Sequence, residues 1–177
     1  LGRLVELEYV LPRRDTKPLA RALLDRFRSF AAVIAAPVPA LLAVDGMGEA
    51  AAAALKTVQA AALRLVRADI ADLPLLANWP KLLAYLTAVL AHEPVEQVRV
   101  LYMDPRNRLL ADEMQGHGTV NHTPLYPREV VKRALELHAT ALVLAHNHPS
   151  GDPTPSREDI AMTREVKTVV EALRMTL

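Results

Sequence analysis

The residues best suited to chemistry are two histidines separated by one residue, His146 and His148, and an aspartate, Asp159, with ten residues between it and His148. They lie in the stretch Ala145-His146-Asn147-His148-Pro149-Ser150-Gly151-Asp152-Pro153-Thr154-Pro155-Ser156-Arg157-Glu158-Asp159. Two neutral imidazole nitrogens and one carboxylate oxygen suit a borderline-soft divalent ion such as zinc, and three protein ligands leave one position open for water. A structural zinc site is usually closed by a fourth protein ligand, often cysteine. This chain contains no cysteine, so the set reads as catalytic. An isolated His-x-His is more often a pair of surface histidines on a polar loop, and that reading is weakened here by the flanking features.

Those features position the three residues. Ala141 to Ala145 is a short continuous apolar run, the pattern of a strand buried on both faces. If the chain stays extended past it, the period of two puts His146 and His148 on one side and turns Asn147 away. Pro149, Gly151, Pro153 and Pro155 then forbid regular structure. Ser156 and Asp159 have the spacing of a helix N-cap and third helical position, so Asp159 is expected in the first turn of a helix. A carboxylate there can hold a cation while lying near the positive end of the helix dipole.

His146-x-His148-Pro149 followed by Ser156-x-x-Asp159 resembles the JAMM (MPN-plus) metalloprotease motif. The longer string from His146 to Pro153, with Pro127-Arg128-Glu129 upstream, resembles the RadC branch of that superfamily. The consecutive His-Asn-His does not resemble an HNH nuclease, whose motif residues are dispersed over a longer unit. The resemblance implies an α/β MPN domain with a mixed sheet, Zn²⁺ on His146, His148 and Asp159, and hydrolysis of an amide or isopeptide substrate. Water on such an ion has its pKa lowered from 15.7 to roughly 7 and still needs a proton acceptor. The family places a glutamate for this near the junction of the first helix and first strand of the domain, which here is Glu96. Glu113, in the second strand beside Asp112, is the rival if that strand runs next to the motif strand. Each also reads as an ordinary surface carboxylate. Ser156 matches the motif serine that supports the oxyanion of a tetrahedral intermediate, and its helix-capping role uses the same hydroxyl. RadC-like proteins also carry an association with DNA repair, which implies two other readings: a DNA-associated adaptor without enzymatic activity, or a metal-dependent nuclease.

The 177 residues allow one large domain or two small ones. Residues are 51% hydrophobic but only 4% aromatic, so the core must be built mostly from Ala, Leu and Val. No run is long and apolar enough to span a membrane, the first fourteen residues do not form a signal peptide, and the absence of cysteine fits a cytoplasmic protein. The net charge of +1 divides into about +3 over residues 1–70 and about −2 over the remainder. That asymmetry permits nucleic-acid contact by the first part and falls well short of a strong basic footprint.

Residues 1–72 read as an all-α domain. A short helix is expected over Leu4 to Val10, a break at Pro12 to Asp15, and a helix from Asp15 or Thr16 to Phe27 with Leu19, Ala20, Leu23, Leu24 and Phe27 on one face. Short helices over Phe30 to Ala36 and Val38 to Leu42 follow, then an alanine-rich helix from Glu49 to about Ala68. Val44-x-Gly46-Met47-Gly48 resembles the hairpin of a helix-hairpin-helix module, which implies contact with DNA phosphates through residues 44–56. The alternative is an ordinary corner between helices, and two features support it: Glu49 opens the helix, and no base follows until Lys56.

Residues 73–177 form the second expected domain, after a stretch around Pro74 with no continuing period. Trp79 to His92 reads as an amphipathic helix with Leu82, Leu83, Leu86, Val89 and Leu90 buried and Trp79 as a packing anchor. Val98 to Met103 and Leu109 to Gln115 read as a β-hairpin around a turn at Asp104 to Arg108. A bend from Gly116 through His122 precedes a helix over Pro127 to His138, with Val130, Val131, Ala134, Leu135 and His138 on one face. After the motif, a helix runs from Ser156 to about Leu173. Met175-Thr176-Leu177 opens a further strand, and the chain is expected to be truncated there.

Overall fold

The computed structural model describes residues 16–117 and 125–177. The helix expected over Leu4 to Val10, the break after it, and most of the bend containing His122 lie outside the described residues. The chain divides into two compact units, Leu1–Leu65 and Val66–Leu177.

The first unit is helical among its described residues: α1 (Lys17–Phe27), α2 (Phe30–Ala35), α3 (Val38–Leu42) and the beginning of α4 (Glu49–Ala71). Pro18 sits in the first turn of α1, where its missing N–H costs nothing. Arg28 ends that helix in the left-handed region at φ 71°, its N–H returning to the Leu24 carbonyl. Ser29 caps α2 by accepting from the Ala32 N–H at 3.1 Å. Ala20, Leu23, Val33, Leu41, Val44, Ala52 and Leu55 form the core, with Leu19, Leu24 and Phe27 packed against it. Gly46 turns the chain between α3 and α4 at φ 81°, a conformation that glycine adopts without steric cost. Lys56 donates to the Ile34 carbonyl at 2.9 Å and to the Gln59 side chain at 2.8 Å.

The second unit is α/β. After a 3₁₀ turn at Leu75–Ala77 come α5 (Trp79–Leu90), β1 (Gln97–Met103), β2 (Leu109–His117), α6 (Pro127–Glu136), β3 (Ala141–His146) and α7 (Arg157–Ala172). The strand order is β2-β1-β3, and both ladders are antiparallel. A mixed sheet was the expectation. β2 and β3 both run against β1 and are kept apart by it, so no parallel ladder forms between them. The parallel element among the described residues is one bridge, Ala141 to Thr176, reached through α7. A crossover through a helix is the connection that returns a chain parallel to the strand it left.

The period of two sorts β1 and β3 onto two cores. Val98, Val100, Tyr102 and Leu142 pack with Val130 and Ala134 of α6 and Val166 and Val170 of α7. Leu101, Met103 and Ala141 pack on the other side with Leu82, Tyr85, Leu86 and Leu90 of α5. Tyr85, rather than Leu83, completes the buried stripe of α5, and Leu83 is 51% exposed. Leu83 lies at the edge of the buried arc, about 100° from Leu82, and lines a groove at the surface. Trp79 is likewise exposed and does not anchor the core. In α6 the buried residues are Val130 and Ala134, while Leu135 and His138 are exposed. The helix stops at Glu136, and His138 takes a left-handed conformation at φ 53°.

One polar cluster ties α5 to the sheet. The Asp112 carboxylate, fully buried, receives two bonds of 2.9 Å from Arg99 and a short one from the Tyr85 hydroxyl. Burial, followed by the bond to Asp112, pushes the Tyr85 hydroxyl up to about 12.

Candidate metal centre

His146 is the last residue of β3 and pairs in register with Val98 of β1. By alternation it lies on the same face as Leu142 and Leu144, the face that packs against α7. Its Nδ1 is buried and lacks a hydrogen-bond partner among the described residues. That atom lies 3.9 Å from Asp159 Oδ1 and 3.9 Å from Glu96 Oε1. A buried unpaired nitrogen is costly, so its alignment with two carboxylates marks it as a donor suited to a cation.

His148 returns to the same side, its ring 4.8 Å from that of His146 and inclined at 65°. Its Nδ1 is 2.6 Å from the Asp152 carbonyl oxygen. A carbonyl can only accept, so the proton sits on Nδ1 and the Nε2 lone pair is left exposed to the site. Nε2 lies 3.4 Å from Asp159 Oδ2. Orienting a ligand histidine through its other ring nitrogen is the usual arrangement at metal centres. The turn that brings the Asp152 carbonyl back is closed by the Gly151 N–H on the His148 carbonyl at 2.9 Å, with Gly151 at φ 80°. A side chain at Gly151 would meet nothing within 4 Å, so backbone conformation rather than space favours glycine there.

Asp159 is delivered by the start of α7. Ser156 Oγ accepts from the Asp159 N–H at 3.1 Å, and Asp159 Oδ2 accepts from the Ser156 N–H at 2.7 Å and from its hydroxyl at 2.6 Å, completing a capping box. Partial burial pushes the Asp159 carboxyl up. The Ser156 hydroxyl and N–H, with the two imidazoles, outweigh it and hold the group below the usual carboxylate range. Ser156→Ala is expected to cost about 1 kcal/mol of stability by loss of the cap. It is also expected to weaken metal binding roughly 10–100-fold by releasing Asp159, read by thermal melting and chelator competition.

The candidate ligand atoms of His146, His148 and Asp159 all lie within 4.8 Å of one another. The contacts of 3.4 and 3.9 Å to Asp159 are near the roughly 3.3–3.5 Å spacing that zinc–ligand bonds of about 2.0–2.2 Å impose in a tetrahedron. A divalent cation fits this donor set. The cleft around it, about 500 Å³, is lined by Glu96, His148, Pro149, Ser150, Asp152, Thr154, Ser156 and Asp159. A neighbouring groove of about 590 Å³ shares His148 and Asp152 and is walled by Trp79, Leu83, Leu86, Val143 and Ala145.

The two glutamates differ in position. Glu96 precedes β1 by one residue and shares the face of Val98, so it stands beside His146, with only 10% of its side chain exposed. Glu113 sits on β2, with β1 between it and β3, and does not line the cleft. Its carboxylate takes Arg133 of α6 at 2.7 and 2.8 Å. His92 and His138 are outside the cleft, and the side chains of His117 and His122 are outside the described residues. Two contributors escaped sequence reasoning. The Asp152 carbonyl that orients His148 was foreshadowed only by the Pro149 to Gly151 turn, and the contacts of Asn147, described below, had no local signal.

Residues 76–177 match the model of the family described as RadC-like JAB domain. A UPF0758 protein of Rhodobacter capsulatus is 58% identical over 167 residues, covering 94% of this chain and 78% of the relative. A UPF0758 protein of Ruegeria pomeroyi is 53% identical over 167 residues, covering 94% of this chain and 75% of the relative.

Proposed function

The chain belongs to the RadC-like JAB family, and from that membership we propose that it is a zinc-dependent hydrolase of JAMM type acting on an amide or isopeptide bond. The observation that carries the reading is the convergence of His146 Nδ1, His148 Nε2 and the Asp159 carboxylate beside the Glu96 carboxylate. Zinc held there would supply Lewis acidity and would make water acidic enough to lose a proton near neutral pH.

The chain's own residues do the rest. His146, His148 and Asp159 hold the cation, with Asp152 and Ser156 orienting two of the three. Glu96 accepts a proton from water and returns it to the departing nitrogen, a general base that becomes a general acid. Ser156 donates its hydroxyl hydrogen to Asp159. Support of an oxyanion by Ser156 needs that same hydrogen, so it requires the hydroxyl to rotate toward the substrate.

Charge favours an amide over a phosphodiester. Among the described residues, Glu96, Asp152 and Asp159 line the cleft and no Lys or Arg does, while the adjoining groove is mostly apolar. A polyanion meets repulsion there, and a peptide can seat an apolar side chain. The test is incubation of zinc-loaded protein with peptide and isopeptide libraries and, in parallel, with plasmid. Cleavage of peptides that stops on chelation, with the plasmid intact, is the expected result. Plasmid cleavage without peptide cleavage would overturn the reading in favour of a nuclease.

A further inference from the structure

Asn147 sits between the two candidate histidine ligands and, by alternation, points away from them. Its carboxamide reaches a segment about fifty residues earlier in the chain. Oδ1 accepts from the Gln97 N–H at 2.9 Å, and Nδ2 donates to the carbonyls of Val95 at 3.1 Å and Glu93 at 3.3 Å. The three bonds bracket Glu96 on both sides in sequence.

The segment needs such a partner. α5 ends at Leu90 and β1 begins at Gln97, so the residues between belong to neither a helix nor a ladder, and Pro94 prevents regular pairing. The groups to be satisfied are one N–H and two carbonyls, which is the donor and acceptor complement of a primary amide. Aspartate offers no donor, and glutamine is longer by a methylene. The Glu93 side chain adds to the brace by accepting from Gln97 Nε2 at 2.7 Å. Glu96 itself is buried to 7% exposure, with its Oε1 3.9 Å from His146 Nδ1.

We propose that Asn147 is a positioning residue that locks the Glu96-bearing segment to the strand carrying the histidines, so that one β-strand end sets the cation and the proton acceptor in register. The inference rests on the assignment of Glu96 as the general base. The mechanical part stands apart from it: the bonds run from the residue next to His146 to the residues flanking Glu96. A carboxylate anchored this way keeps its distance to the site at a precision a free loop cannot hold, and displacements of about 1 Å at a reacting centre cost on the order of 100-fold in rate.

The test uses the full chain with Asn147→Ala and Asn147→Asp. Amide hydrogen exchange at Gln97 is expected to accelerate at least tenfold in Asn147→Ala and less in Asn147→Asp, whose carboxylate still accepts from that N–H. Zinc affinity is expected to stay within about threefold, because the three ligands are untouched. On a peptide that the zinc-loaded protein cleaves, kcat is expected to fall about 10–100-fold with KM little changed. The effect is expected to vanish in the Glu96→Gln background, where no proton acceptor is left to position. A merely structural Asn147 would slow the Glu96→Gln protein by the same factor, and that result would overturn the proposal, as would unchanged Gln97 exchange or full kcat in Asn147→Ala. Failure of the unsubstituted protein to cleave any peptide would count against the hydrolase reading instead, and the Gln97 exchange would still decide whether the clamp exists.

Discussion

His146→Ala will leave the folded protein unable to retain zinc. The unsubstituted chain is expected to bind one equivalent, and the variant to lose more than about 100-fold in affinity, beyond the 10–100-fold typical of groups that only orient a ligand. Several features make this the largest effect. His146 Nδ1 is the one buried unpartnered side-chain nitrogen among the described residues, and it sits equidistant from Asp159 and Glu96. Removing it leaves one histidine and one carboxylate, too few donors to hold a cation against water. The imidazole lies at the end of β3 and is 24% exposed, so truncation opens no sealed cavity and the fold is expected to survive. Metal content after chelator challenge, with melting temperature as the control on folding, reads the outcome. Stoichiometric zinc in the variant would remove the basis of the site.

Glu96→Gln will keep its zinc and lose hydrolysis. Glutamine has the size of glutamate and retains its hydrogen-bonding reach, but it cannot accept a proton. A positioned general base contributes about 10²–10⁴-fold in rate, and a loss of that size in kcat is expected on any peptide the unsubstituted protein cleaves. Glu96 lines the cleft beside His146, whereas Glu113 is bound to Arg133 across the sheet. Glu113→Gln therefore makes the parallel comparison. Activity retained in Glu96→Gln and lost in Glu113→Gln would transfer the role. The metal measurement separates this experiment from the first, since a glutamate that served as a ligand would take zinc with it.

Each site element owes its place to interactions of different range. Ser156 and Asp159 are three residues apart, and their capping box is closed by atoms of the first helical turn. His146 and His148 share a side because an extended chain alternates, and Asn147 faces away for the same reason. These arrangements are local, so spacing alone conveys them. The helices of the first unit and the hairpin turn at Asp104, whose carboxylate accepts from the Arg106 and Arg108 N–H groups, are legible on the same basis.

Other features depend on which distant segment packs alongside. Leu83 and Tyr85 are both apolar enough to be buried, and the position of the sheet beneath α5 selects Tyr85, whose hydroxyl finds Asp112 on β2. The sheet is expected to be mixed; its two ladders are antiparallel because β1 takes the central place and separates β2 from β3, and the parallel pairing among the described residues is the single bridge from Ala141 to Thr176. No local pattern indicates which strand will be central.

By itself, then, the sequence determined the candidate donor set of His146, His148 and Asp159, the strand and capped helix that carry them, and the helical character of the first unit's described residues. Period and capping act within a few residues, and they operate before any tertiary contact exists. Only the tertiary structure decided that Glu96 rather than Glu113 stands at the cleft, that the Asp152 carbonyl orients His148, and that Asn147 braces the segment around Glu96. The Asn147 bonds and the approach of Glu96 to His146 join residues about fifty positions apart. Their formation follows from the order of strands in the sheet, and that order is set by the packing of two cores.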